Sequence, residues 1–198
     1  MTSELNVDSA TRLIGFFGNL QESKRPGKFI DAMAEIVRRR PDLPVMGLIF
    51  GSPMITGIEE ELVQRARSLN VADRIRLMGF RYPAAKFMAA CDIHAVTAVG
   101  EPFGRTLIEA MLLRTPVVAA ASGGNLEAIE DGVNGLLATV DDPAAMASAI
   151  LSLLDDPERS ARIAEMAAAR AAKRYGADRH VNQISTIYQS LLTNFRRN

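Results

Sequence analysis

Cysteine occurs once in these 198 residues, tryptophan not at all and histidine only twice. A single thiol, Cys91, excludes a disulfide framework, and two isolated histidines, His94 and His180, offer no zinc-ligand spacing. Net charge is missing as well. Basic and acidic side chains balance at 23 each, so nothing points to a nucleic acid as partner. No apolar run approaches a membrane span; residues 115–121, one of the longest, would cover about a third of one. The N-terminal Met-Thr-Ser-Glu-Leu-Asn has no secretory pattern, which predicts a cytoplasmic chain, with peripheral membrane attachment open to a full-length protein. Tandem repeats and Pro/Gly/Ser-rich linkers are also lacking, so residues 1–198 read as one domain. At 48% hydrophobic residues, that domain has the material for a sizeable core.

What is present is alternation. Short apolar runs predict strands at residues 12–18, 44–51, 74–79, 92–98, 116–120 and 135–139. Longer amphipathic stretches predict helices at 26–40, 57–69, 84–90, 104–114, 125–130, 143–154, 157–174 and 177–196. The pattern predicts an α/β fold, a single Rossmann-like domain whose six-stranded parallel sheet carries helices on both faces. Ligands of such sheets gather at the carboxyl ends of the strands. Five ends lead into suitable loops: Gly18-Asn19, Gly51-Ser52-Pro53, Gly79-Phe80-Arg81-Tyr82, the segment around Glu101, and Ser122-Gly123-Gly124.

The most informative segment is Glu101-Pro-Phe-Gly104-Arg-Thr-Leu-Ile-Glu109. Pro102 and Gly104 interrupt regular structure, assigning Glu101 to a loop and Glu109 to the following helix. The free N–H groups of Gly104, Arg105 and Thr106 would open that helix and attract phosphate. Glu109 lies roughly 7 Å further along the axis, about the distance from a diphosphate to its ribose. A half-buried glutamate paired with Arg105 at i−4 is the alternative, beside an apolar stripe of Leu107, Ile108, Met111 and Leu112. Lys24 and Arg25 follow the first strand as candidate countercharges for a phosphate, or as part of a solvated loop. Their surroundings are neither G-x-G-x-x-G nor a P-loop, which argues against an NAD-dependent enzyme and a P-loop ATPase. Ser122-Gly123-Gly124 either brings backbone close to a ligand or makes a tight turn. Cys91 and His94 read as core residues, and Arg38-Arg39-Arg40 as a complement to a helix dipole.

Taken in order, these pieces resemble the donor-binding half of retaining glycosyltransferases of the two-Rossmann-domain (GT-B) architecture, classed as family 4. The resemblance begins at Leu13–Lys24, continues through Leu77-Met-Gly-Phe80 and is densest in EPFGRTLIEAMLLRTPVVAAASGGNLEAIEDGVNG, from Glu101 to Gly135. It implies that Glu109 binds the ribose of a nucleotide-diphosphate sugar, and that Glu101 lies near the transferred hexose as the catalytic candidate. Backbone from Phe103 through Gly104 and Arg105 to Thr106 would hold the donor phosphates together with Lys24. Phe80, Arg81 and Tyr82 would line the base pocket of a UDP- or GDP-linked donor. The resemblance implies neither a metal nor a cofactor; side chains and a helix end stabilise the leaving diphosphate.

The chain departs from the family at three positions. Asn19 stands where arginine follows the first-strand glycine and removes a phosphate countercharge that Arg25 or Arg105 would have to replace. Arg105 stands where an aliphatic residue is common, and Arg114 where glycine is common. The acceptor-binding N-terminal half is expected to be missing or supplied by another chain. The helix at 177–196 resembles the segment that packs toward that half, leaving an apolar face for association with it or with a second copy. The expected function is transfer of a hexose to an unknown acceptor by a hexosyltransferase incomplete in this chain. The alternative is a non-catalytic nucleotide-sugar-binding or regulatory module.

Overall fold

A computed structural model describes residues 8–195. Six parallel strands form one sheet: β1 (Arg12–Phe17), β2 (Val45–Phe50), β3 (Ile75–Gly79), β4 (Ile93–Val96), β5 (Val117–Ala120) and β6 (Leu136–Ala138), in the order β3-β2-β1-β4-β5-β6. Each predicted strand is present, shortened at its ends. The helices are α1 (Pro26–Arg39), α2 (Ile58–Ser68), α3 (Ala84–Met88), α4 (Arg105–Leu112), α5 (Gly124–Ala128), α6 (Pro143–Leu154), α7 (Pro157–Tyr175) and α8 (Ala177–Phe195). Residue 196, the expected end of the last helix, lies outside the described residues. Two short 3₁₀ turns, Glu22–Lys24 and Ala72–Arg74, were not foreseen, being too short for a periodic pattern.

Every residue of β2 is buried, and β1 is buried from Leu13 to Phe17. Alternating side chains feed two cores, as expected of a parallel sheet covered on both faces. Ile14, Phe16 and Ile49 pack with Phe29, Met33 and Ile36 of α1 and with Ile150 of α6. Leu13, Phe17 and Phe50 pack with Leu107 and Met111 of α4 and Ala167 of α7. Gly47 leaves room for this packing; a Cβ there would lie 2.9 Å from the Ile75 side chain and 3.1 Å from Phe29.

Backbone conformation accounts for the helix ends. Gly104 is left-handed (φ 73°) and starts α4 at Arg105, one residue later than predicted. Arg114 is left-handed too (φ 58°) and stops the helix short of its predicted end. Its N–H bonds to Met111 O and that of Thr115 to Ala110 O, both at 3.0 Å, the pair of bonds that defines a Schellman motif. The same closure at the end of α2 uses Asn70 (φ 57°). The arginine triplet does more than face a dipole. Arg38 and Arg39 pair with Glu35, Arg39 Nη1 donates to Ser148 at 2.6 Å, and Arg40 reaches Asp155 at 2.9 Å, joining α1 to α6.

On α8 the apolar Val181, Ile184, Ile187, Tyr188, Leu191 and Leu192 recur at helical spacing, and all are exposed. Among the described residues no helix is long and apolar enough to cross a membrane.

Candidate functional site

Strand order reverses between β1 and β4, which are neighbours in the sheet but separated in the chain by β2 and β3. The loops leaving them diverge to helices on opposite faces of the sheet, and in such folds ligands bind at this switch point. The loop after β1 carries Lys24 and the loop after β4 carries Glu101. Lys24 Nζ donates to Glu101 Oε2, an ion pair across the switch point with side chains 28% and 16% exposed. Glu101 Oε1 also accepts from the Gly104 N–H at 3.3 Å.

Both backbones are held. Thr97 Oγ1 lies 3.0 Å from the carbonyl oxygens of Lys24 and Arg25 and shares its one proton between them. Val99 N donates to Ser23 O at 3.3 Å. On the other side, Gly124 N donates to Glu101 O at 2.7 Å and Gly100 N to Ser122 Oγ at 3.0 Å. A Cβ on Gly123 would come within 2.8 Å of Glu101 O, and one on Gly124 within 2.9 Å of Pro102 O. The glycine pair therefore admits the Glu101 loop itself, a third use besides the ligand approach and tight turn suggested by sequence. The Lys24 stem runs beside Gly18, whose absent Cβ would meet it at 3.7 Å.

The remaining candidates are less gathered. Gly104 is buried and caps α4; Arg105 and Thr106, its first residues, present N–H groups with no partner earlier in the helix. Arg105 and Asn19 are exposed, and neither side chain has a partner among the described residues. Arg25 is drawn away to Asp141, beyond β6. Phe103 is 52% exposed and meets Tyr175 edge-on at 5.5 Å. Phe80, Arg81 and Tyr82 follow the edge strand β3 and are exposed. Glu109 is exposed and, among the described residues, unpaired, so the half-buried carboxylate partnered by Arg105 does not occur. Leu112 also leaves the expected apolar stripe, being 46% exposed.

Asn125 has no exposure; its Nδ2 donates to Ala120 O at 2.9 Å, whereas Oδ1 has no partner among the described residues and lies beside Gly104. Thr97 holds the loop after β1, and Asn125 ties the loop after β5 to the end of its own strand, yet neither carried a sequence signal. Burial pushes the Cys91 thiol up to about 12 and the His94 imidazole down to about 4, which leaves both uncharged near neutrality. Among the described residues no group of His, Cys, Asp and Glu could hold a metal ion.

The profile of the glycosyl transferases group 1 family matches residues 11–156, more than half of the chain. The chain belongs to the glycosyl transferases group 1 family. Two curated relatives, both D-inositol 3-phosphate glycosyltransferases, show how much of such a protein it represents. The Corynebacterium urealyticum protein is 35% identical over 193 residues, 96% of this chain and 45% of that one. The Frankia alni protein is 37% identical over 179 residues, 86% of this chain and 43% of its own. The chain thus spans less than half the length of these relatives. Among solved structures, Anabaena HepE in complex with UDP and glucose superposes with a TM-score of 0.88 at 33% identity, covering 96% of this chain and 51% of that one. The C-terminal domain of a group 1 glycosyl transferase from Francisella tularensis shares the fold at 23% identity, with a TM-score of 0.75 over 84% of this chain and 87% of that one. This group 1 domain has the architecture of the C-terminal Rossmann-like half of GT-B glycosyltransferases. Lys24 and Glu101 bridge its switch point.

Proposed function

We propose that this chain is the donor-binding half of a retaining family 4 hexosyltransferase, acting in the cytoplasm on a UDP- or GDP-linked sugar without metal or cofactor. The Lys24–Glu101 pair carries the reading, because it joins the candidate phosphate cation to the candidate sugar carboxylate at the switch point. Anabaena HepE, crystallised with UDP and with UDP-glucose, lends support through its similarity over 96% of this chain.

In this assignment the N–H groups of Arg105 and Thr106 at the start of α4 receive the diphosphate, Gly104 N staying on Glu101 Oε1, and Phe103 contributes backbone. Lys24 neutralises the leaving group, with Asn19 and Arg25 at the margin. Glu109, exposed and without a competing ion pair, accepts the ribose hydroxyls. Phe80, Arg81 and Tyr82 offer exposed surface for the base. Glu101 orients a hexose hydroxyl or stabilises developing positive charge at the transferred sugar. An acceptor half, in a longer chain or a separate one, completes the enzyme, and the apolar face of α8 is its proposed contact.

Isothermal titration of UDP and GDP against wild type and Glu109→Ala tests the donor site. One of the two should bind, with a loss of about 10- to 100-fold in Glu109→Ala, since a carboxylate hydrogen bond is worth about 1.5–3 kcal/mol. No heat from either nucleotide with folded wild type would sink the assignment.

A further inference from the structure

The Lys24–Glu101 pair places a fixed negative charge against the cation assigned to the donor phosphate. We infer that Glu101 makes this site select the intact nucleotide sugar over the free nucleotide diphosphate left after transfer; this rests on the donor-site reading above.

The two ligands differ where the pair acts. In the sugar-linked donor the terminal phosphate is a diester with one charge. Its hexose hydroxyls can donate to a carboxylate, so Glu101 is repaid for sharing Lys24. Free diphosphate presents a terminal phosphate with nearly one more negative charge at neutral pH and no hydroxyl to offer. Beside Glu101 that charge meets repulsion, and the Lys24 ammonium is divided between two anions.

Retreat of the carboxylate would relieve the conflict, but its loop is pinned. Glu101 O accepts from Gly124 N at 2.7 Å, and Gly123 packs against the Glu101 backbone so closely that a Cβ would clash at 2.8 Å. Gly104 N holds Oε1, and Thr97 holds the Lys24 carbonyl. Side-chain exposures of 28% and 16% limit the water available to screen the charges.

The test is calorimetric, on the 198-residue chain, with UDP and UDP-glucose, or with GDP and GDP-mannose if guanine is the base that binds. Glu101→Gln keeps the shape and removes the charge. It should bind the free diphosphate about fivefold tighter and the nucleotide sugar no tighter than wild type, shifting their affinity ratio in favour of diphosphate. Glu101→Asp, which retains the charge but sets it one methylene back, should shift the ratio less than Glu101→Gln does, and its melting transition verifies the fold independently. Lys24→Met should weaken both ligands, and in that background Glu101→Gln should still favour the diphosphate. Unchanged or weaker diphosphate binding by folded Glu101→Gln would overturn the inference while leaving the donor site standing. Failure of wild type to bind any of these nucleotides would remove the donor site itself, and the inference with it.

Discussion

His94 shows what one buried side chain does to stability. Its ring is fully buried in β4, with Nδ1 3.2 Å from Gly15 O and Nε2 without a partner among the described residues, and desolvation lowers its pKa to about 4 from 6.5. The folded protein stays neutral there while the unfolded chain takes up a proton below about pH 6.5. Stability from this group is therefore full above pH 6.5 and falls as pH drops toward about 4, by roughly 3 kcal/mol over the window. Denaturant melts at pH 7 and pH 4.5 should show a smaller difference for His94→Leu than for wild type; equal differences would exclude His94 as the cause. Residue by residue, the sequence pointed to groups whose chemistry is unusual for a loop, such as Lys24 and Glu101. It was silent on Thr97 and Asn125, whose work depends on which carbonyl lies within 3 Å, and that is decided by chain segments up to 73 residues away.

At the scale of elements, hydrophobic patterning located every strand, most plainly β1 and β2, where both faces are covered and the apolar run is nearly continuous. Ends were less legible. Arg114 looks like an ordinary helix residue, yet it occupies the left-handed closing position of α4. Its exposed pair with Glu165, at 2.6 Å, offsets little of the strain. Arg114→Gly should therefore stabilise the domain by about 0.5–1 kcal/mol, measured as a higher urea midpoint at constant slope. The Ser122-Gly123-Gly124 turn was legible as glycine but not as a loop contact, because nothing in the local sequence says that residues 100–102 lie against it. Gly123→Ala, with φ 53° and no space for a Cβ, should cost roughly 2–3 kcal/mol and weaken nucleotide-sugar binding through displacement of Glu101. A thermal melt with and without nucleotide sugar separates the two effects. On α8, Ile187→Glu with Leu191→Glu should leave stability within about 0.5 kcal/mol, as both side chains are exposed.

For the molecule as a whole, the donor reading makes a thermodynamic forecast. Ligand that binds only the folded state at 100 times its dissociation constant adds about 2.7 kcal/mol, a rise of roughly 5–10 °C for a domain of this size, readable in a thermal-shift scan. The sheet order carries a mechanical consequence. Its halves, β1–β3 and β4–β6, are each continuous in sequence and meet along one seam, where β1 pairs with β4 at only Ile14↔Ile93 and Gly15↔His94. The neighbouring β1–β2 ladder runs through six pairs. A diphosphate gripped from both loops would work as a staple across that short ladder. Amide exchange at His94 and Ala95 should then slow more on nucleotide addition than exchange within β2, and the crevice that recognises the donor would double as the clasp of the sheet.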